Sequence, residues 1–269
     1  MRTKQLLLAM FACGALAVQM NAQPAAAAAA PVYTQTINYV KITTGKGQEW
    51  RQLIRDTSMK VAQVRADAGE IISWTLLRSV YPSGQEARAD YMISTVSEGE
   101  PHSSRGTMDE MYKKAGIAMT PSEVNAKRST LSTLVASEMW RPRIRVGAPA
   151  KGHYLFINWM KVHDAAKYTA LETTVWSPMA QEWVKQGAMS GWIYATKMLP
   201  SGTDTKYTAY TADMFPTMEA AFAPRQVKAM FEKVVTGKTF DAVSAELPKI
   251  RDLVRRQLWT VVECVTKEQ

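Results

Sequence analysis

The chain writes one hexapeptide twice. Residues 37–42 read INYVKI and residues 157–162 read INWMKV, an offset of 120. Met59 falls on Met179 at the same offset. Gly69, Trp74, Pro82, Ser83 and Gly84 fall on Gly187, Trp192, Pro200, Ser201 and Gly202 at an offset of 118, and Trp140 falls on Trp259 at 119. A register that slips so little over that length marks a duplicated unit. Each copy is too long for a solenoid repeat and has the size of a small domain. Whatever the chain folds into must be built twice.

Both copies carry the same order of elements. In the first, periodicity predicts a strand over 34–42, a turn over 43–47, and a helix carrying Trp50, Leu53, Ile54, Val61 and Val64. Strands over 70–81 and 87–96 meet around Pro82-Ser83-Gly84. One or two helices follow over 107–138, with Ser122 after Pro121 as an N-cap, and a last strand over 139–146. In the second copy, a strand over 153–162 leads to a helix capped by Asp164, which Pro178 should kink or break. Strands over 189–199 and 206–214 meet around Pro200-Ser201-Gly202. Val227, Met230, Phe231 and Val234 mark one later helix, Ile250, Leu253 and Val254 another, and 258–266 a closing strand. Each copy is therefore β-α-β-β-α-β, the α+β ferredoxin-like arrangement. Two helices cover one sheet face and leave the other bare. A bare apolar face must be buried, so the two sheets are expected to pack face to face within one chain. The first repeat spans 33–148 and the second 149–269, with GAPAKG at 147–152 between them.

The strand–turn–helix openings YVKITTGKGQEW and WMKVHDAAKY, with the hairpins ending YPSG and LPSG, resemble the dimeric α/β-barrel superfamily over nearly all of the chain after its N-terminus. The second copy has Ala165-Ala166-Lys167 where the first has its turn glycine and lysine. The resemblance implies a tandem copy of a fold that elsewhere dimerises. It also implies a range of activities: cofactor-free oxygenation of aromatic compounds, haem degradation, chlorite and haem-precursor chemistry, and plain ligand binding. No residue motif selects among them.

The N-terminus differs from the rest. Arg2 and Lys4 precede an apolar run from Leu6 to Val18, and a polar stretch ends at Ala22. This is the order of a secretory signal, and the run is too short to span a bilayer as a helix. Residues 1–22 are read as the signal, 23–32 as an Ala-rich disordered linker, and the protein as exported, periplasmic or extracellular. Cutting within 25–30 is the neighbouring choice. Met10-Phe11-Ala12 before Cys13 is a poor lipid-attachment signal. Removing the signal takes two basic residues and no acids, leaving 31 basic against 24 acidic residues, a net charge of +7. Such a surface either attracts anionic lipids, polysaccharides and small molecules or simply keeps the protein soluble. Cys264 is then the sole cysteine, so no internal disulfide is available, and its apolar strand reads it as a small buried hydrophobe. The hydrophobic content of 46% is enough for a packed core.

Strand alternation sorts the candidate site residues. Ile37, Tyr39 and Lys41, with Ile157, Trp159 and Lys161, are expected between the sheets. Val40 and Ile42, with Met160 and Val162, are expected under the helices, on the side of Asn38 and Asn158. Trp74, Trp192 and Tyr194 are placed between the sheets with the first set. Asn38, Tyr39, Lys41, Trp74, Asn158, Trp159, Lys161, Trp192 and Tyr194 are the candidate ligand-binding residues. The open alternatives are that the aromatics only fill the space between halves and that the asparagines pin strands to loops. An aromatic chamber with a few cations suits a flat anionic or phenolic ligand. No catalytic residue is assigned, and no metal site or cofactor is expected. The histidines (His102, His153, His163) lack metal-ligand spacing, and any one of them could at most serve as a single haem ligand. Arg141, Arg143 and Arg145 alternate like a solvated edge strand, with Pro142 in keeping. Nucleic-acid binding is disfavoured. The reading is an exported protein that binds a small aromatic or anionic molecule between its sheets, without stable membrane insertion, as a pseudo-dimeric monomer or a higher homo-oligomer. A cofactor-independent monooxygenase-like or isomerase-like enzyme is the alternative, and haem binding comes third.

Overall fold

The computed structural model describes residues 31–99 and 106–266. The expected signal over 1–22, most of the linker and His102 lie outside the described residues. The first repeat runs β1 (Tyr33–Ile42), α1 (Gly47–Ile54), a π-helical turn (Arg55–Met59), α2 (Lys60–Asp67), β2 (Ser73–Tyr81), β3 (Tyr91–Glu98), α3 (Met108–Lys114), α4 (Pro121–Leu131) and β4 (Ser132–Gly147). The second runs β5 (Tyr154–Val162), α5 (Ala165–Leu171), a π-helical turn (Glu172–Trp176), α6 (Ser177–Lys185), β6 (Gly191–Leu199), β7 (Ala209–Phe215), α7 (Met218–Phe222), α8 (Val227–Val234), α9 (Phe240–Ile250) and β8 (Arg251–Thr266). The turn from strand to first helix is two residues shorter in the second repeat. That moves the offset from 120 on β1 to 118 on the helix. The buried residues Trp50, Leu53, Ile54 and Val61 accordingly match Tyr168, Leu171, Glu172 and Met179. Met59 is therefore not the counterpart of Met179.

All eight strands close one antiparallel barrel in the order β1-β3-β2-β8-β5-β7-β6-β4. Within a repeat the order is that of a ferredoxin-like sheet, β4-β1-β3-β2 and β8-β5-β7-β6. The sheets face each other across the interior, as expected, and also join at their edges. The two 16-residue strands do the joining. β4 pairs with β1 up to Trp140 and then with β6 from Met139 to Gly147. β8 pairs with β5 up to Thr260 and then with β2 from Leu258 to Thr266. No barrel strand is left with an open edge, the usual route to aggregation.

Several expectations change as a result. β4 and β8 begin at Ser132 and Arg251, not at 139 and 258, and Leu253 and Val254 are strand rather than helix. The arginine stripe is not on an edge: Arg143 Nε donates to Thr196 Oγ1 at 3.1 Å, and Arg145 lies 5.3 Å from the Tyr33 ring centre. Pro142 sits beside a register shift, where a ladder tolerates a residue with no N–H. Thr120, not Ser122, caps α4, in a reciprocal box with Glu123. Asp164 caps α5 as expected. The π-helical turn before Pro178 recurs in the first repeat without a proline, so it belongs to the repeat.

Three apolar clusters hold the structure. One fills the barrel around Tyr39, Trp140, Trp159, Tyr210 and Trp259, and one lies under the helices of each repeat. Trp140, Trp159 and Trp259 are at most 1% exposed. Burying each indole is worth about 4–6 kcal/mol of transfer free energy. Val40 and Met160 lie under the helices, while Ile37, Tyr39, Ile157 and Trp159 face inward, as strand alternation predicts.

Candidate functional site

The barrel interior is packed rather than hollow at its centre. Trp140, Trp159, Tyr207 and Tyr210 meet ring to ring with centroids 4.8–6.1 Å apart. Apart from Trp140 Nε1, which is buried and meets no acceptor, their polar tips are satisfied within the barrel. Tyr39 Oη donates to Glu138 at 2.9 Å and Trp159 Nε1 to Gln257 at 2.8 Å. Tyr39 and Trp159 thus brace the barrel. Lys41 Nζ donates to the carbonyls of Gly84 and Ala87 and to Asp90 at 2.9–3.1 Å, holding the β2–β3 hairpin. Lys161 is exposed.

Trp74, Trp192 and Tyr194 face the helices, contrary to the expectation. Trp74 pairs with Thr95 and Trp192 with Asp213, and these pair with Thr36 and Phe156. Paired residues share a face, and Thr36 and Phe156 share the helix side with Asn38 and Asn158. Tyr194 is tied to Thr169 at 2.9 Å and stands edge-on to Tyr168.

That helix-side face of the second repeat carries the site. Asn158 and Trp192, on β5 and β6, line a cavity of about 200 Å³ roofed by α5, α6 and the π-helical turn. Neither side chain could project there without the strand parity that puts Met160 in the same layer. β7 adds Thr211 and Asp213, β8 adds Arg251 and Arg256, and the segment before α8 adds Arg225. Asn158 is spanned by Arg256, whose Nε donates to its Oδ1 at 2.5 Å, and by Thr211 Oγ1, which accepts from its Nδ2 at 3.1 Å. Arg225 lies 3.9 Å from Asp213 and covers the rings of Trp183 and Phe215 at 5.3 and 4.9 Å.

Glu172 is the unusual member. It is 3% exposed, and its Oε2 has no hydrogen-bond partner; neither has Nε of Arg251 across the cavity. Burial pushes the Glu172 carboxyl up to about 8, and nearby Asp213 adds to this. The Tyr168 hydroxyl and Arg251 pull the other way and do not prevail. Burial also raises Asp213, against Arg225, Arg256 and Asn158. A carboxyl poised at about 8 is mostly protonated at pH 7, able to give a proton, while its ionised fraction, growing as pH rises, can take one.

The first repeat supplies an internal control. Its corresponding cavity, about 300 Å³, keeps Asn38 but has Ile54 in place of Glu172, Ile93 for Thr211 and Ser132 for Arg251. Thr95 replaces Asp213, and Ser137 replaces Arg256 as the donor to the asparagine, at 2.7 Å. Of the nine candidate residues, only Asn158 and Trp192 line the charged cavity. Glu172, Asp213 and the three arginines were missed. A signal for Glu172 did exist, since at offset 118 it falls on Ile54, a core position of an amphipathic helix. His153 accepts from the Ala150 amide and His163 meets Asp252 at the surface; neither lines this cavity. Among the described residues, no three His, Cys, Asp or Glu side chains cluster as metal ligands.

No family model matches the chain, and no curated protein matches it. Solved structures do. A protein named as a candidate monooxygenase from Lactobacillus acidophilus NCFM superposes with a TM-score of 0.51 at 11% identity, over 88% of this chain and 96% of that one. A second candidate monooxygenase, from Fusobacterium nucleatum subsp. nucleatum ATCC 25586, gives 0.54 at 8% identity, over 89% and 96%. These likenesses show the fold, a dimeric α/β barrel made by one tandemly duplicated chain.

Proposed function

We propose that the second repeat binds a small, flat phenolic or enolisable molecule between its sheet and helices, with Glu172 as the proton acceptor. The cavity expected between the sheets is thereby moved to the opposite face of one of them. The observation that carries the reading is the buried, unpartnered Glu172 Oε2 aimed into an aromatic cavity rimmed by arginines. Arg251 and Asn158 are placed to stabilise the oxyanion that deprotonation leaves. Such an anion can be reprotonated at another carbon, as an isomerase requires, or meet dioxygen, as a cofactor-independent monooxygenase requires. The fold shared with two candidate monooxygenases favours the second at the level of fold alone.

The test is exchange of the acidic C–H of 2-tetralone with D₂O, followed by NMR. Exchange should be catalysed, should rise with pH to a plateau above about 8, and should fall about a hundredfold or more in Glu172→Gln. Equal exchange by wild type and variant would contradict the reading. We further propose that residues 1–22 direct export. Mature protein beginning at Gln23 would support this, and an intact N-terminus on protein recovered from the cell would refute it.

A further inference from the structure

A second cavity, of about 610 Å³, lies beside the β6–β7 connection and reaches down to the charged groups at the edge of the barrel core. Its floor is the ion pair of Lys197 and Glu138, at 2.9 Å, with side chains only 6% and 4% exposed. Tyr39 and Tyr207 donate to the same carboxylate at 2.9 and 2.8 Å. Lys197 Nζ also sits 4.1 Å from the Tyr207 ring centre. Glu138 and Lys197 thus neutralise each other and are held rigidly.

The rim is not neutral. Arg88, Lys206 and Arg255 line the cavity, against Asp204 alone. Arg88 donates to the Tyr207 hydroxyl at 3.1 Å. Arg255 Nε is shielded from solvent and meets no acceptor. A buried guanidinium N–H without an acceptor costs free energy that a bound oxyanion would recover. The duplication again provides a control. By strand register, Glu138 corresponds to Gln257, Lys197 to Ser79 and Arg255 to Ala136, while Tyr207 falls on Ala89 at offset 118. The charged set is therefore particular to one of two pseudo-equivalent places and is not needed to close the barrel.

We propose that this cavity is a binding site for a small oxyanion, a carboxylate or phosphate, held by Arg255, Arg88 and Lys206 above the Lys197–Glu138 floor. It is separate from the Glu172 cavity and does not depend on its function. The experiment is calorimetric titration of the full chain at low ionic strength with inorganic phosphate and, separately, with succinate. Phosphate tighter than succinate assigns the site to phosphate esters, and the reverse assigns it to carboxylates; either supports the proposal. Arg255→Gln and Lys206→Gln should each weaken binding about tenfold or more, and Arg255→Lys should recover part of it. The exposed Lys206 provides a variant that folds even where Arg255→Gln does not. Arg225→Gln, in the other cavity, should leave the affinity unchanged. Absence of saturable binding by both anions would overturn the proposal, as would binding that Arg225→Gln abolishes and the rim variants do not.

Discussion

At the residue scale, the account turns on one helical position. In the first repeat it holds Ile54, and in the second Glu172. An acid on an amphipathic helix ordinarily reads as solvent-facing, which is why Glu172 was not legible without aligning the two helices. Its carboxyl binds a proton up to about 8 when folded, against an ordinary value near 4.5. The folded state therefore holds more protons than the unfolded one between these values, and stability falls as pH rises through that window. The charged groups facing Glu172 are Arg251 on β8, Asp213 on β7 and, at the rim, Arg225. Glu172→Gln should remove this slope, leaving the variant a few kcal/mol more stable than wild type at pH 9 and similar near pH 5, at about 1.4 kcal/mol per pKa unit. Thermal unfolding at the two pH values measures it; a parallel loss of stability in both proteins would refute the assignment. Tyr39→Phe removes one of the donors to Glu138 and should cost about 1–3 kcal/mol in urea unfolding. A loss below about 0.5 kcal/mol would mean that the barrel does not rely on this bond.

At the element scale, most of the fold was legible because sheet and helix write different periods. The first strands, expected from 34 and 153 and found to begin at Tyr33 and Tyr154, the paired hairpins and the inward Tyr39 and Trp159 all follow from alternation. The openings of β4 and β8 were not legible. The run RDLVRRQ spaces its apolar residues like a helix, since these strand segments lie at the barrel's margin, where Leu253 and Val254 are exposed and Arg255 points inward. The faces of Trp74 and Trp192 were missed because parity within one strand says nothing until its partner is known. The seam between repeats has its own weak point. Gly147 has a φ of +63° and pairs with Gly191, and a Cβ on Gly147 would collide with the Ser190 carbonyl oxygen. Gly147→Ala should therefore destabilise the protein by about 2 kcal/mol or more, through strain and a parted β4–β6 ladder. Urea unfolding reads the change, and an unaltered midpoint would contradict the tight seam.

At the scale of the whole molecule, duplication closes one barrel and leaves two helix-side cavities free to diverge. The halves are not independent, because the C-terminal parts of β4 and β8 take their strand partners from the other repeat. Residues 31–148 produced alone should be unfolded or self-associated, and mixing with 149–269 should restore one species by size-exclusion and one cooperative unfolding transition. Stable, monomeric separate halves would argue against the shared barrel. The duplication itself was plain in INYVKI and INWMKV, but its chemical asymmetry was not, because Asn38 and Asn158 look alike until their neighbours across the sheet are seen. The asymmetry is most directly tested by soaking crystals with 4-bromophenol and locating bromine by anomalous scattering. The account requires the bromine beside Glu172 and Trp192 and none in the matching cavity at Ile54. Bromine inside the barrel, or equally in both cavities, would contradict it.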